Sequence, residues 1–372
     1  MQKVIVIGDD HHNSLSLVRG LGMAGYAVEL FVVADSGKSF VAHSKYVRKC
    51  HIVKSEKDVL AIMREEVKEV KERVPVTAAS DKAAEMLDLN FDELSRNYIV
   101  PNCGGKQGLL SEWMNKEKMM AEADRCGMLK PYTVHVSALD ETQIDTDAIP
   151  YPCVVKPSKS VDGSKDDFRI CKDKSELKAV LEDMRRRGIG VLVQEYIHVD
   201  YEYKVCGVRS RKTGKNHLVG GLHKLKTCKD TNNMGMLCFA YTTSDYPSDY
   251  IKSSIDKFVE SMGFEGLYSF EFMVSGDKVY FTEMNLRNDG CAFCWTDAGC
   301  NMTANWVKEM TEGVEPKYGT LKKTYCMVEI SYAKYYHNNI FTLIKDTFKT
   351  KSFAIFKRND IKPFIYKFIN AI

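Results

Sequence analysis

The chain has 372 residues, enough for two or three packed domains at roughly 100–200 residues each. Apolar residues make up 44% and charged residues 28%, and a net charge of +3 gives no case for a nucleic-acid partner. Twelve cysteines scattered over so long a chain do not make a disulfide scaffold, and Met1–Asp10 reads as a short strand, so a reduced, cytoplasmic protein is expected.

The opening third alternates strand and helix. Val4–Ile7 is an apolar run ending at Gly8, a polar stretch follows, and Ser14–Ala24 has helical spacing that Gly25 stops. Val28–Val33 is the next buried strand. Ile52–Val53 as a strand, Asp58–Arg73 as a charged helix, Val74–Ala78 as a strand and Asp81–Leu94 as a helix continue the rhythm. Such alternation implies a parallel sheet with helices on its faces, which binds ligands beyond the carboxyl ends of its strands. A single glycine, Gly8, follows the first strand where a dinucleotide fold carries G-x-G-x-x-G, which counts against a dinucleotide oxidoreductase. His11 and His12 lack evident partners for a metal, so that turn is expected to meet substrate or solvent.

From about Ser111 the character changes. Trp113–Cys126 is a helix and Tyr151–Lys156 a strand ending in Lys-Pro. A polar loop rich in Ser, Lys and Asp occupies residues 157–168. A helix from Asp173, with Glu176 in capping-box position, runs to Arg187. Gly190–Glu195 is a strand, residues 201–243 read as antiparallel strands, and Ser248–Met262 is a helix. Phe270–Arg287 is then a β-hairpin around Ser-Gly-Asp-Lys. Alternation sets Glu283, Asn285 and Arg287 on one face, and Glu271 joins them across the ladder. Two carboxylates and an amide oxygen on rigid strands suit Mg²⁺, which is held by few carboxylates plus substrate phosphates. An adjacent Arg can neutralise a phosphate or a developing oxyanion. Cys291, Cys294 and Cys300 are expected to be buried packing residues, because a lone C-x-x-C lacks a second ligand pair. Beyond them, Ile340–Lys349 and Ile361–Ile372 mix apolar residues with Lys. That pattern suits a membrane surface, but packing against the main body explains it at less cost, so membrane contact is not expected.

The order Asn115-Lys116, Pro152-Cys-Val-Val-Lys156-Pro157, Gln194-Glu195-Tyr196-Ile197, Glu202, Glu271 and Glu283-Met-Asn285-Leu-Arg287 resembles the ATP-grasp superfamily. Within it the chain looks most like bacterial carboxylate–amine ligases related to D-aspartate ligase. The segments Ala-Ser-Asp81-Lys and Arg358-Asn-Asp360-Ile-Lys-Pro363-Phe add to that likeness. The resemblance implies an α/β and α+β architecture. A Rossmann-like domain (1–110) precedes two ATP-grasp lobes (111–190 and 191–315), and a helical tail (316–372) follows.

It further implies ATP with Mg²⁺ or Mn²⁺, a carboxylate and an amine as substrates, and amide formation through an acyl-phosphate. Lys116 and Lys156 would contact the nucleotide phosphates, and Lys224 would be a catalytic contact to phosphate or substrate. Gln194 through Ile197 would meet the adenine, chiefly by main chain, and Glu202 would hold the ribose. Glu271, Glu283 and Asn285 would bind the metal, and Arg287 would stabilise the acyl-phosphate and the tetrahedral intermediate. The 157–168 loop would close over the phosphates; it departs from the family pattern in carrying Asp162, Asp166 and Asp167 around Gly163, which either are offset by Lys159 and Lys165 or point outward. The substrate pocket would draw on the turn after Gly8, the 201–243 sheet and the stretch holding Asn301. The implied carboxylate is an amino acid or a cell-envelope precursor, and a homodimer is the default assembly. The competing reading is a nucleotide-binding sensor or scaffold of the same fold.

Overall fold

Val4, Ile5, Val6 and Ile7 are fully buried in succession, as in a strand covered on both faces. They lie in β1 (Lys3–Asp9), which with β2 (Ala27–Val33), β3 (Val47–Val53), β4 (Val74–Ala78) and β5 (Tyr98–Ile99) forms a parallel sheet ordered β3-β2-β1-β4-β5. The connection direction reverses between β1 and β4, so the carboxyl ends of these two strands open a crevice. This computed structural model describes residues 1–67, 72–137, 144–158, 167–227, 237–245, 248–315 and 318–369.

Several elements differ from the sequence expectation, each for a local reason. β3 begins at Val47 rather than Ile52, because Arg48 and Lys49 mask an edge strand whose outer side is solvated. The charged helix starts at a Ser55–Asp58 capping box and spans Glu56–Glu66. The helix expected over 81–94 splits into Asp81–Leu89 and Phe91–Leu94, since Asn90 leaves helical geometry at φ −119°, ψ 22°. The one expected over 113–126 splits into Leu109–Trp113 and Lys116–Arg125. There the Asn115 side chain accepts from the Glu117 and Lys118 amides and starts a new helix. That cap is what sets Lys116 at a helix N-terminus. Asp173 caps the helix Lys174–Arg186, but Glu176 reaches the Lys172 amide instead of completing a box.

β6 (Asn102–Cys103) leaves the parallel sheet to pair with a strand of a larger one. A small antiparallel sheet contains β7 (Thr133–Val136), β8 (Cys153–Pro157), β9 (Arg169–Cys171) and β10 (Val191–Glu195), in the order β7-β10-β8-β9. Leu177 and Met184, on one face of the helix Lys174–Arg186, close its core.

The large sheet is built from β11 (Tyr201–Arg209), β12 (Asn216–Thr227), β13 (Leu237–Thr243), β14 (Phe264–Ser275), β15 (Lys278–Asn285), β16 (Tyr325–Met327) and β17 (Ser352–Phe353). Its order is β15-β14-β11-β12-β13-β16-β17, with β6 on β14. One core runs from Ile5, Ile7 and Phe31 of the parallel sheet to Phe270, Phe272 and Phe281 of the large one. The helix Met302–Glu312 packs on β11, β14 and the first helix, His12–Met23.

Three helices, Glu329–Tyr336, Ile340–Lys349 and Lys362–Ile369, follow. The last segment returns to the first helix through a buried ion pair. Arg19 Nε lies 2.8 Å from Asp360 Oδ2, and the same carboxylate accepts from Ser44 Oγ and the Lys45 amide. Among the described residues no helix is long and apolar enough to cross a membrane.

Candidate active site

The hairpin β14–β15 sets Glu271 directly opposite Glu283, and a register shift follows at Phe272. A bulge of this kind re-aims side chains locally. Asn285 Nδ2 donates to Glu271 Oε1 and to Ser269 Oγ, each at 3.3 Å. The three oxygen-bearing side chains are therefore held together by backbone register and one amide. Lys116 Nζ lies 3.4 Å from Glu283 Oε2, and its own amide donates to the Ser158 carbonyl at 2.9 Å. A cleft of about 300 Å³ is lined by Asp81, Met114, Lys116, Met119, Glu283 and Asn285, among others.

Arg287 stands past the end of β15 and reaches the parallel sheet. Its Nε is 2.8 Å from Asp81 Oδ1 and its Nη2 is 3.4 Å from Oδ2. Asp81 opens the helix that follows β4, so the crevice beside β1 and β4 meets the hairpin here. Burial works against the guanidinium charge, but Asp81 outweighs it and raises the Arg287 pKa.

Lys224 on β12 pairs in register with Glu202 on β11, and Lys204 pairs with Glu271 on β14. Lys224 Nζ lies 2.7 Å from Glu202 and 3.3 Å from Glu271. Lys204 Nζ lies 2.6 Å from Glu271 and 2.9 Å from Asp289. A continuous chain of alternating charge, Glu202–Lys224–Glu271–Lys204–Asp289, thus crosses the sheet. Burial would raise the Glu271 and Asp289 carboxyl pKa values, but Lys204, joined by Lys224 at Glu271, holds both well below the usual range. The same attractions overcome burial at Lys204 and Lys224 and keep both ammonium groups charged.

Lys156, on β8, is the exception among the lysines. Burial, reinforced by the charge of Lys116, pushes its pKa down to about 7 despite the opposing pull of Glu283 and Glu271.

At the exit of β10 the side chains are already committed. Gln194 is buried and its side chain donates to Thr133 Oγ1 at 2.8 Å, bracing β7. Glu195 accepts from the Tyr132 amide at 2.8 Å, and the Tyr196 amide donates to the Pro152 carbonyl at 3.2 Å. Ile197 is buried beside them.

Other expectations resolve as follows. Asn301 is not a pocket residue: it caps the helix Met302–Glu312 and donates to the Gly20 carbonyl at 2.6 Å. His11 caps the first helix by accepting from the Asn13 amide. Cys291, Cys294 and Cys300 are buried, and burial raises their thiol pKa values. Of the loop after β8, Lys159, Asp162, Gly163, Lys165 and Asp166 lie outside the described residues; Asp167 pairs with Arg187 at 2.6 Å.

Sequence reasoning missed three participants. Lys204 sits two residues after Glu202 on the same strand face, and Asp289 two after Arg287, so extending the alternation rule by one step was the available signal for the first. Asp81 stood in a segment noted only for its resemblance.

The family described as ATP-grasp domain matches residues 122–303. The formate-dependent phosphoribosylglycinamide formyltransferase of Corynebacterium jeikeium is 29% identical over 179 residues, which is 47% of this chain and 43% of that enzyme. The chain thus spans less than half of that relative's length. The structure of N5-carboxyaminoimidazole synthetase from Staphylococcus aureus aligns over 92% of this chain and 87% of its own, with a TM-score of 0.68 at 13% identity. That of the L-amino acid ligase from Bacillus licheniformis aligns over 87% and 79%, with a TM-score of 0.65 at 14% identity. The fold is that of ATP-grasp proteins, and residues 122–303 carry a match to the ATP-grasp domain.

Proposed function

We propose that the protein is an ATP- and Mg²⁺-dependent carboxylate–amine ligase that forms an amide through an acyl-phosphate and releases ADP. The observation that carries this reading is the convergence of Glu271, Glu283 and Asn285 with the cations of Lys116, Lys224 and Arg287 around one hairpin. An all-oxygen donor set of two carboxylates and an amide fits Mg²⁺, which would supply charge neutralisation on the phosphates.

In this reading Lys116, Lys156 and Lys224 bind phosphate oxygens. The main chain of Glu195–Ile197 meets the base edge, and Glu202 accepts from ribose hydroxyls. The substrate carboxylate attacks the γ-phosphorus, the bond to the bridging oxygen breaks, and ADP leaves. An amine then adds to the acyl carbon, and phosphate departs as the amide forms. Arg287 is placed to stabilise the oxyanion between those events. The protein's share is positioning and charge, with no covalent enzyme intermediate.

The division into 1–110, 111–190, 191–315 and 316–372 belongs to the same proposal. So does the narrower likeness to ligases related to D-aspartate ligase. The paired Asp81 and Arg287 support an amino-acid substrate, since one side chain suits an ammonium and the other a carboxylate.

The test is Mg²⁺-dependent ADP release from ATP across a panel of amino acids and small carboxylates with an amine pool present. Release that rises with one carboxylate and requires an amine supports the ligase. Tight ATP binding without release under any pairing would overturn it in favour of a non-catalytic nucleotide-binding protein.

A further inference from the structure

Among the described residues every exposed phenylalanine lies at or beyond position 341: Phe341, Phe348, Phe356 and Phe368. Two of them share one face of the helix Ile340–Lys349 with Ile344. Phe341 is 83% exposed and Phe348 is 88% exposed, values at which almost none of the ring touches protein. The helix is nonetheless firmly oriented. On its inner face Leu343 packs against the Tyr332 cluster, and Asp346 accepts from Lys226 Nζ and from the Tyr332 hydroxyl, each at 2.6 Å. The outward aromatic face is therefore fixed in place by its opposite side. Lys345 and Lys349 flank it at helical spacing.

Charge separates the possible occupants of this face. Residues 318–369 contain ten Lys and Arg against three Asp and Glu, a surplus of seven, whereas the whole chain carries only +3. All three acids are consumed internally: Asp346 as above, Asp360 by Arg19, and Glu329 by the amides of Ala354, Ile355 and Phe356. Of the cations, Lys357 pairs with Asp297 and Lys349 Nζ lies 4.0 Å over the Tyr325 ring, and the balance that this part of the molecule presents outward is still cationic and aromatic. A second copy docked face to face would set this cationic patch against the same cationic patch, because a two-fold contact is made by one surface with itself. An anionic lipid surface accepts both components, the rings at the acyl boundary and the ammonium groups at the headgroups.

We propose that the helix Ile340–Lys349 docks the protein on anionic phospholipid through Phe341, Ile344 and Phe348, with Lys345 and Lys349 at the headgroup level. The second outward apolar face, Ile365, Phe368 and Ile369 on the helix Lys362–Ile369, extends the cationic–aromatic character of this region. The contact is peripheral and electrostatically assisted, so it weakens with salt.

The experiment is co-sedimentation of the full chain with vesicles of phosphatidylcholine alone and of phosphatidylcholine containing phosphatidylglycerol. The expected result is binding to the anionic vesicles only, reduced about tenfold or more in Phe341→Ser/Phe348→Ser and, independently, in Lys345→Glu. Thermal melts of both variants should match the parent, since these side chains are exposed. Failure of the parent to bind anionic vesicles overturns the proposal. So does binding that neither variant weakens, or a dimer in analytical ultracentrifugation that Phe341→Ser/Phe348→Ser dissociates without any vesicle binding.

Discussion

Arg287 and Asp81, 206 residues apart, form an ion pair at 2.8 Å that bridges the end of the metal-type hairpin and the crevice of the parallel sheet. A planar guanidinium bonded at one edge keeps its remaining donors aimed, which a flexible ammonium does not. Arg287→Lys should therefore lower turnover by roughly 10²–10³, the range for loss of an oxyanion donor, while nucleotide affinity holds. Steady-state kinetics beside direct ATP binding separates the two, and a collapse of affinity would give Arg287 a different role.

Lys156 should make nucleotide binding proton-linked. The folded chain releases this proton near pH 7, whereas an unperturbed lysine holds it to 10.5. Between those values the unfolded chain binds the extra proton, so this group's contribution to stability rises with pH across the window and its burial penalty is full below about 7. A phosphate placed beside the ammonium restores the charged form. Binding of ATP should then take up about one proton near pH 8 and little near pH 6. Calorimetry in buffers of different ionisation enthalpy measures this uptake, which Lys156→Met should remove.

Lys204→Met should destabilise the fold, not only the site beside it. The substitution leaves Glu271 and Asp289 facing each other without their shared cation, in a sheet where the Asp289 side chain is 2% exposed. Loss of one partner from a buried network costs about 3–5 kcal/mol. Urea unfolding gives the value, and a change under about 1 kcal/mol would mean that water or rotation relieves the carboxylates.

Asp360→Ala should loosen the tail and the first helix together. It strips Arg19, whose side chain is 5% exposed, of its only carboxylate among the described residues, and removes acceptors for Ser44 and Lys45. A loss of about 3–5 kcal/mol is expected, accompanied by faster amide exchange in the helix His12–Met23.

Much of this arrangement was legible in the sequence, and the limits have physical reasons. The parallel sheet followed from alternating buried runs and loop glycines, and the facing of Glu271 with Glu283 and Asn285 followed from two-residue alternation. Breaks inside apparent helices were missed at Asn90 and Asn115, because an asparagine in a helical pattern reads as an ordinary interior residue until its backbone or cap bonds are seen. Lys204, Asp289 and Asp81 were missed for a different reason. Alternation sets Lys204 on the face of Glu202, but its partners Glu271 and Asp289 come from other segments, and no local pattern encodes which distant strand becomes a neighbour. The bond from the Gln194 side chain to Thr133 was likewise not legible, since it joins strands 61 residues apart.

The bond between Arg19 and Asp360 also bears on how the chain reaches this state during synthesis. Its partners are separated by 341 residues, so at ~5–20 residues per second the carboxylate is made roughly 17–70 s after the guanidinium. For that interval the first helix can pack its apolar side on the nascent sheet but has no counterion for its buried arginine. The helix His12–Met23 is thus completed by a segment made 341 residues after Arg19, and the parallel sheet should gain its last increment of order only when synthesis has passed Asp360.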